Sequence, residues 1–472
     1  MNNKAALVGF FGLLLGFLPA TANASEEAVS SAQIQEMMRR LEKLEKLVEK
    51  QGVAEKEIKE EVKEVRKLAD RIKTNSTYGN AILDPTNQIN RKQQYILNSR
   101  IDGLLTTGDV TLSGSIWATA DYQQSNMNDK FGWLMRHPTF RNQKGKEVSH
   151  ALIHSAQISA TYPANEWITI YSELLYDPEQ SFGSGTITDV NRNQIQLRKG
   201  YVLFGDLNKS PFHFSIGKMA TPFGLTDTVN PFTASTVWHA FGGLAYGAKL
   251  GYLNGGFDAS IMAVQGGAQF RAANAPVHET SVPSSINNYV IDLNYKHNFT
   301  ANLSALIGAS YQRGSAYCQD FPVLHFEACK DVNPAYDFYT QWKIGDLELI
   351  GEFAKTVDVW PGTLNPSFPE FEASRVTSFS VGAKYPVANI WEKDINLSLE
   401  FSRFLAGPNN SPWHNQDQWV VGLETYLTPS IKLFGEYIHV NGFVPLNNVS
   451  DPSVSNADVK NGAGVIGAAV SF

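Results

Sequence analysis

Ten histidines and two cysteines are the residues of this 472-residue chain best equipped for chemistry. His150 and His154 share one face of a strand, the arrangement that a catalytic pair in a barrel hydrolase would use. His239, His325, His414 and His439 are scattered, and neither His-Glu-x-x-His nor Gly-x-Ser-x-Gly occurs. Gly462-Ala463-Gly464-Val465-Ile466-Gly467 spells a dinucleotide fingerprint, but only Ala468 to Phe472 follow it. That leaves no room for the helix whose N-terminus would hold a pyrophosphate. Cys318 and Cys329, an even count in a chain expected to be exported, point to one disulfide closing a small loop. A metal site with His325 as third ligand is the sharper alternative. The expectation is a protein that is not an enzyme, with no catalytic residue, metal or cofactor.

The charged residues suit transport better. Alternation along the strands puts Glu173, Lys296, Lys343, Glu348, Glu352, Glu400, Glu424, Lys432 and Glu436 on inward positions, with Asn294, Gln341 and Ser398. A barrel wide enough to hold water would solvate such charges, and their field would favour some solutes over others. Their signs are mixed, which leaves ion selectivity open. Residues 222–243 carry one charge, Asp227, against Phe223, Phe232, Trp238 and Phe241, with His239 among them. A segment so apolar is poorly suited to free solvent. It would be sheltered either by folding into the barrel as a constriction or by packing at a subunit contact.

The elements that position these residues are strands. From Val110 onward apolar and polar residues alternate, as in Ile395, Leu397, Leu399 and Phe401 against Asn396, Ser398, Glu400 and Ser402. Sixteen such segments are expected, beginning near residues 109, 149, 167, 195, 212, 244, 257, 287, 303, 336, 347, 375, 395, 418, 431 and 461. Short connections (163–166, 207–211, 254–256, 298–302, 345–346, 386–394 and 428–430) alternate with long ones, as outer-membrane barrels require. A sandwich has no reason to collect its long loops at one end. Tyr162, Trp167, Tyr295, Phe299, Trp342, Tyr385, Trp391 and Tyr426 cluster near the short turns, where an aromatic girdle belongs. The fold class is therefore an all-β transmembrane barrel of about sixteen antiparallel strands over residues 109–472.

Ahead of the barrel, Lys4, the apolar run Ala5 to Leu18 and Ala22-Asn23-Ala24 read as a secretory signal peptide over residues 1–24. Within residues 25–75, Ile34, Leu41, Val48, Val62 and Ala69 alternate with Met37, Leu44, Ile58, Val65 and Ile72 at heptad spacing. Glu36–Arg40 and Glu55–Lys59 stand at i,i+4. An α-helical coiled coil is expected there, spanning about 58 Å and leaning toward more than two strands. Its bland alternative is one charged helix lying on the rest of the protein. Residues 76–108 are polar and read as a linker that could carry a short irregular plug near its end.

Composition is consistent with this. With 43% hydrophobic and 18% charged residues and a mean hydropathy of −0.22, the chain is too polar for a bundle of membrane helices. Its aromatic and branched residues exclude disorder, and a net charge of −7 argues against nucleic acid. The architecture, ending in Phe472, resembles the LbtU-type (legiobactin-uptake-like) siderophore porins. The segment Gly217-Lys218-Met219-Ala220-Thr221-Pro222-Phe223-Gly224 is similar to a turn shared with phosphate-selective and related porins. The resemblance implies uptake of a ferric siderophore across the outer membrane of a Gram-negative bacterium. The residues themselves add the expectation of a water-filled barrel narrowed by the third external loop, a periplasmic coiled coil and a homotrimer formed through that coiled coil. The alternatives are a general or anion-preferring trimeric porin and a barrel-anchored tether to the cell wall. A gated receptor of about 22 strands with a plug domain would need a longer chain.

Overall fold

The computed structural model describes residues 35–36, 38–43, 62–67, 69–87, 89–132, 144–177, 194–265, 286–317, 332–444 and 456–472. The signal peptide, most of the heptad segment, and Cys318 and Cys329 lie outside the described residues. The chain divides into two compact units, residues 1–70 and 71–472. In the first, the described residues are helical apart from the turn at Asp70, and Arg40 Nε lies 3.3 Å from Glu36 Oε1 on an exposed face.

The second unit begins with a short strand, β1 (Ile72–Thr74), and two helices, α1 (Ser76–Leu83) and α2 (Lys92–Ile101). Then come β2 (Val110–Ser125), β3 (Glu147–Pro163), β4 (Ile168–Asp177), β5 (Gln194–Phe204) and β6 (Phe212–Ala220). A short helix, α3 (Thr236–Phe241), precedes β7 (Leu244–Asn254), β8 (Phe257–Gln265), β9 (Ile286–Thr300), β10 (Leu303–Gln312) and β11 (Ala335–Ile344). The last six strands are β12 (Leu347–Thr356), β13 (Thr377–Ile390), β14 (Lys393–Leu405), β15 (Asn415–Thr428), β16 (Ile431–Val444) and β17 (Asn456–Ser471). Strands β2 to β17 form a closed sixteen-strand antiparallel barrel, each paired with its sequence neighbours and β17 with β2.

Closure follows from the period of two. Leu397, Leu399, Val421 and Ile466 face outward and are exposed, whereas Ser398, Glu400, Ser402 and Val465 face inward and are buried. The outside is therefore an apolar band and the inside a polar wall, which is what a lipid-facing sheet without edges needs. At the seam, Phe472 and Gly114 exchange two backbone hydrogen bonds, at 3.0 and 3.1 Å. The Phe472 ring lies where a side chain on residue 114 would stand, so any larger residue there would have to push the ring aside. Beyond the end of β17, β1 runs parallel to β2 and pairs with Val110 to Leu112, covering the edge that the seam leaves open.

Residues 76–108, expected as a linker with room for a short plug, carry the two helices. Asn75 caps α1 by accepting from Tyr78 N at 3.1 Å. Tyr78, Ile82, Leu83, Ile96 and Leu97 are buried in one apolar cluster with the inward Tyr171 and Tyr201. The helices thus occupy the short-turn half of the lumen. Tyr426 also departs from the expected girdle: it pairs in register with Lys432 and faces inward with it.

The turn between β13 and β14 is made by Trp391 and Glu392 at φ of 52° and 61°. A two-residue turn of this hand is usually built with glycine or asparagine. Glu392→Gly should raise stability by about 1 kcal/mol, because it removes a left-handed non-glycine residue. A higher urea midpoint for detergent-folded protein is the expected result, and an unchanged or lower midpoint would count against it.

Candidate functional site: a loop and two helices inside the barrel

The connection 221–243, between β6 and β7, lies inside the lumen and reaches the opposite wall. Its anchors are carboxylates on alternate strands. Thr226 N donates to both oxygens of Glu352 on β12 at 3.0 Å. Thr228 Oγ1 donates to Glu400 on β14 at 2.7 Å. Phe232 N and Thr233 N donate to Glu436 on β16 at 2.7 and 3.0 Å. A carboxylate taking backbone N–H groups satisfies donors that a buried loop could not otherwise pair. Thr226 sits at φ 55°, a costly conformation for a β-branched residue, and it is the residue whose N–H points at Glu352.

Glycines on the strands between make room for the loop. Gly382 faces Glu400 across one strand pair and Gly422 faces Glu436 across another. A side chain at either glycine would collide with Val229 or Pro231 of the loop. Further along, Thr236 N donates to Ser402 Oγ at 3.1 Å, and Gln418 Nε2 to Ala234 O at 2.9 Å. The loop's aromatics find inner-wall partners: Phe232 stacks on Phe434 at 5.3 Å and meets His154 edge-on at 4.8 Å. Phe223 packs on Phe241, and Phe241 on Tyr317, whose hydroxyl donates to Ala240 O at 2.9 Å. Burial pushes the Tyr317 phenol well above its ordinary value, so it stays a donor. Trp238 is buried and His239 half-buried on α3, with Ser235 as its cap.

The charges expected to line a wet wall therefore fall into three groups and one separate residue. Glu352, Glu400 and Glu436 are buried and hold the loop instead of facing water. Glu348, Glu424 and Lys432 join Lys384, which the sequence did not flag, in a chain of ion pairs nearer the short turns. Lys432 Nζ lies 2.7 Å from Glu424, and Lys384 Nζ 3.6 Å from both Glu424 and Glu348. Lys296 and Lys343 occupy inward positions at the rim and are exposed. Glu173 stands apart on β4, where it meets Lys92 of α2 at 2.8 Å and Arg198 at 3.5 Å. A bulge opposite Glu173 turns two consecutive residues, Arg198 and Lys199, into the lumen, an arrangement that strict alternation forbids.

The helices complete the interior. Tyr78 stacks on Tyr95 at 5.6 Å, and its hydroxyl meets Thr161 Oγ1 at 2.8 Å. Burial raises the Tyr78 phenol above its ordinary value and keeps that bond intact across accessible pH. Gly79 lies so close to the carbonyl of Phe472 that a side chain would not fit. Arg100 ties the end of α2 to two short turns through the carbonyls of Asn165 (2.9 Å), Glu166 (2.6 Å) and Gly205 (3.3 Å). The functional residues missed from sequence are Asn90, Arg91, Lys92 and Gln94. Their signal was a polar run directly before the apolar Tyr95, Ile96 and Leu97. His150 and His154 do face the lumen together, with His150 Nδ1 3.3 Å from Asp121 Oδ1.

The anchoring by Glu436 makes a local expectation. Glu436→Ala should speed hydrogen exchange of the Phe232 and Thr233 amides by at least about tenfold, since charged acceptors hold such donors by roughly 1.5–3 kcal/mol. Glu436→Gln, keeping one acceptor oxygen, should show a smaller effect. Unchanged exchange in a peptide covering 230–236 would mean that the loop is held elsewhere.

No family model matches the chain. An 80-residue stretch is 28% identical to a UPF0422 protein of Coxiella burnetii, covering 17% of this chain; the chain spans 16% of the length of that curated relative. Among solved structures, the chain is similar to the outer membrane channel DcaP of Acinetobacter baumannii at 13% identity, covering 77% of this chain and 97% of that one, with a TM-score of 0.49. It is also similar to an anion-selective porin from Comamonas acidovorans (13% identity, 77% and 99% covered, TM-score 0.46). OprB of Pseudomonas putida is a third (10% identity, 76% and 94% covered, TM-score 0.49).

Proposed function

We propose that the chain is an outer-membrane channel for small solutes and that the solute it takes up is a ferric siderophore. What supports the channel is the contrast between the two faces of the sheet. The outer face is an apolar band, while the inner one carries the serines, glutamates and lysines of the strands, as the polar interior of a membrane barrel does. Sixteen strands enclose a cross-section wide enough for an aqueous path. The connection 221–243, held across that cross-section by Glu352, Glu400 and Glu436, would set how much of it is available. The siderophore rests on the resemblance to LbtU-type porins, and selectivity would come from this loop and the charged wall.

The same proposal places the short turns and the heptad segment in the periplasm, with the long loops outside the cell. The signal peptide at 1–24, the coiled coil over 25–75 and self-association as a homotrimer belong to it, as does the Cys318–Cys329 staple in the fifth long loop.

Planar-bilayer recording of the purified full chain tests this. Discrete current steps that a ferric siderophore blocks at micromolar concentration, with the iron-free compound much weaker, are the expected outcome. Loss of siderophore-bound iron uptake on deleting the gene should accompany it. Steps that ignore every siderophore would favour a general diffusion porin. No current, together with cell-wall capture of the chain, would favour a tether.

A further inference from the structure

The helices and the inward loop meet near the middle of the barrel. Arg91 Nη2 lies 2.9 Å from Asp227 Oδ2, and Asp227 is 3% exposed. Ile89 N donates to Asp227 Oδ1 at 3.0 Å. Asn90 Nδ2 donates to the carbonyls of Phe223 and Gly224 at 2.9 and 3.0 Å. Thr228 N donates to Thr86 O at 3.0 Å.

Each partner is also tied directly to the wall. The helices reach β3 through Tyr78, β4 through Lys92 and β8 through the Gln94–Asp258 bond of 2.9 Å. The loop reaches β10 through the Gly224 N–Ser310 Oγ bond of 2.9 Å, and then β12, β14, β15 and β16. Together the two span the lumen from side to side, joined at Asp227.

The two halves are held by different physics. The loop is tethered at both ends by strands and by buried carboxylates. Tyr78, Ile82, Ile96 and Leu97 anchor the helices by apolar burial. The tip of α2, meaning the segment leading into it and its first turn, Ile89 to Gln94, is held mainly by hydrogen bonds and ion pairs that water can replace when it withdraws, with Ile89 as its one apolar residue, packed on Ala234 and Trp238 of the loop. Withdrawing an apolar element would instead leave a greasy surface exposed in a wet lumen.

We propose that this tip is a gate. It closes the lumen by latching onto the inward loop at Asp227, and conduction requires the latch to break. The gate rests on the channel function proposed above and goes beyond it, because it makes the described arrangement the shut state and identifies the moving part.

Single-channel recording of the full chain in potassium chloride tests the gate. Arg91→Ala and Asp227→Ala should each raise the open probability by about tenfold or more, the scale of losing a charge-assisted hydrogen bond. A second pair avoids reliance on these variants: Thr86→Cys with Thr228→Cys, made with Cys318→Ser and Cys329→Ser. Its oxidised form should stay shut, and dithiothreitol should restore the currents. Open probabilities unchanged by either alanine variant, with equal currents from oxidised and reduced double cysteine, would overturn the gate and leave the channel standing. Currents absent from every form, while circular dichroism stays β-rich, would overturn the channel and the gate with it.

Discussion

A sheet that turns one face to an apolar medium cannot leave an edge open, because nothing outside accepts or donates a hydrogen bond. The rest of the molecule depends on this constraint. It forces β17 back onto β2, makes the seam at Gly114 and Phe472 a fixed point, and gives β1 its place on the uncovered part of β2. Once the ring is closed, its inner face becomes a separate solvent compartment, and every polar group there must find water or a partner.

Partners are what the inner wall mostly has. Glu352, Glu400 and Glu436 would be expensive to bury as free carboxylates, and the loop's N–H groups and hydroxyls would be expensive to bury unpaired. Brought together, each resolves the other's cost. The glycines at 382 and 422 let the loop backbone come close enough for this exchange. The same reciprocity appears where α2 enters, with Lys92 against Glu173 and Arg91 against Asp227. Filling a barrel this way uses directional bonds, so the contents are placed accurately and yet remain separable by water.

The ion-pair chain from Glu348 through Lys384 and Glu424 to Lys432 has a different role. It runs along the wall near the short turns, and Lys432 also donates to Pro231 O at 3.0 Å. It links the wall's own charges to the middle of the inward loop, where removing one member would leave a buried neighbour uncompensated.

What the sequence determined by itself was the wall. Strand number, the inward set of residues and the alternation of short and long connections all follow from a period of two, a local property that each strand displays independently. Tertiary structure alone decided what the wall encloses. Whether Glu436 faces water or a loop amide depends on a segment two hundred residues away, and no local pattern encodes that meeting. The bulge that turns both Arg198 and Lys199 inward breaks the period that made the strands legible. The polar tip of α2 was hidden for the same reason: a helix that buries hydrogen bonds instead of an apolar stripe carries little periodic signal, and its partners exist only once the cylinder has closed around it.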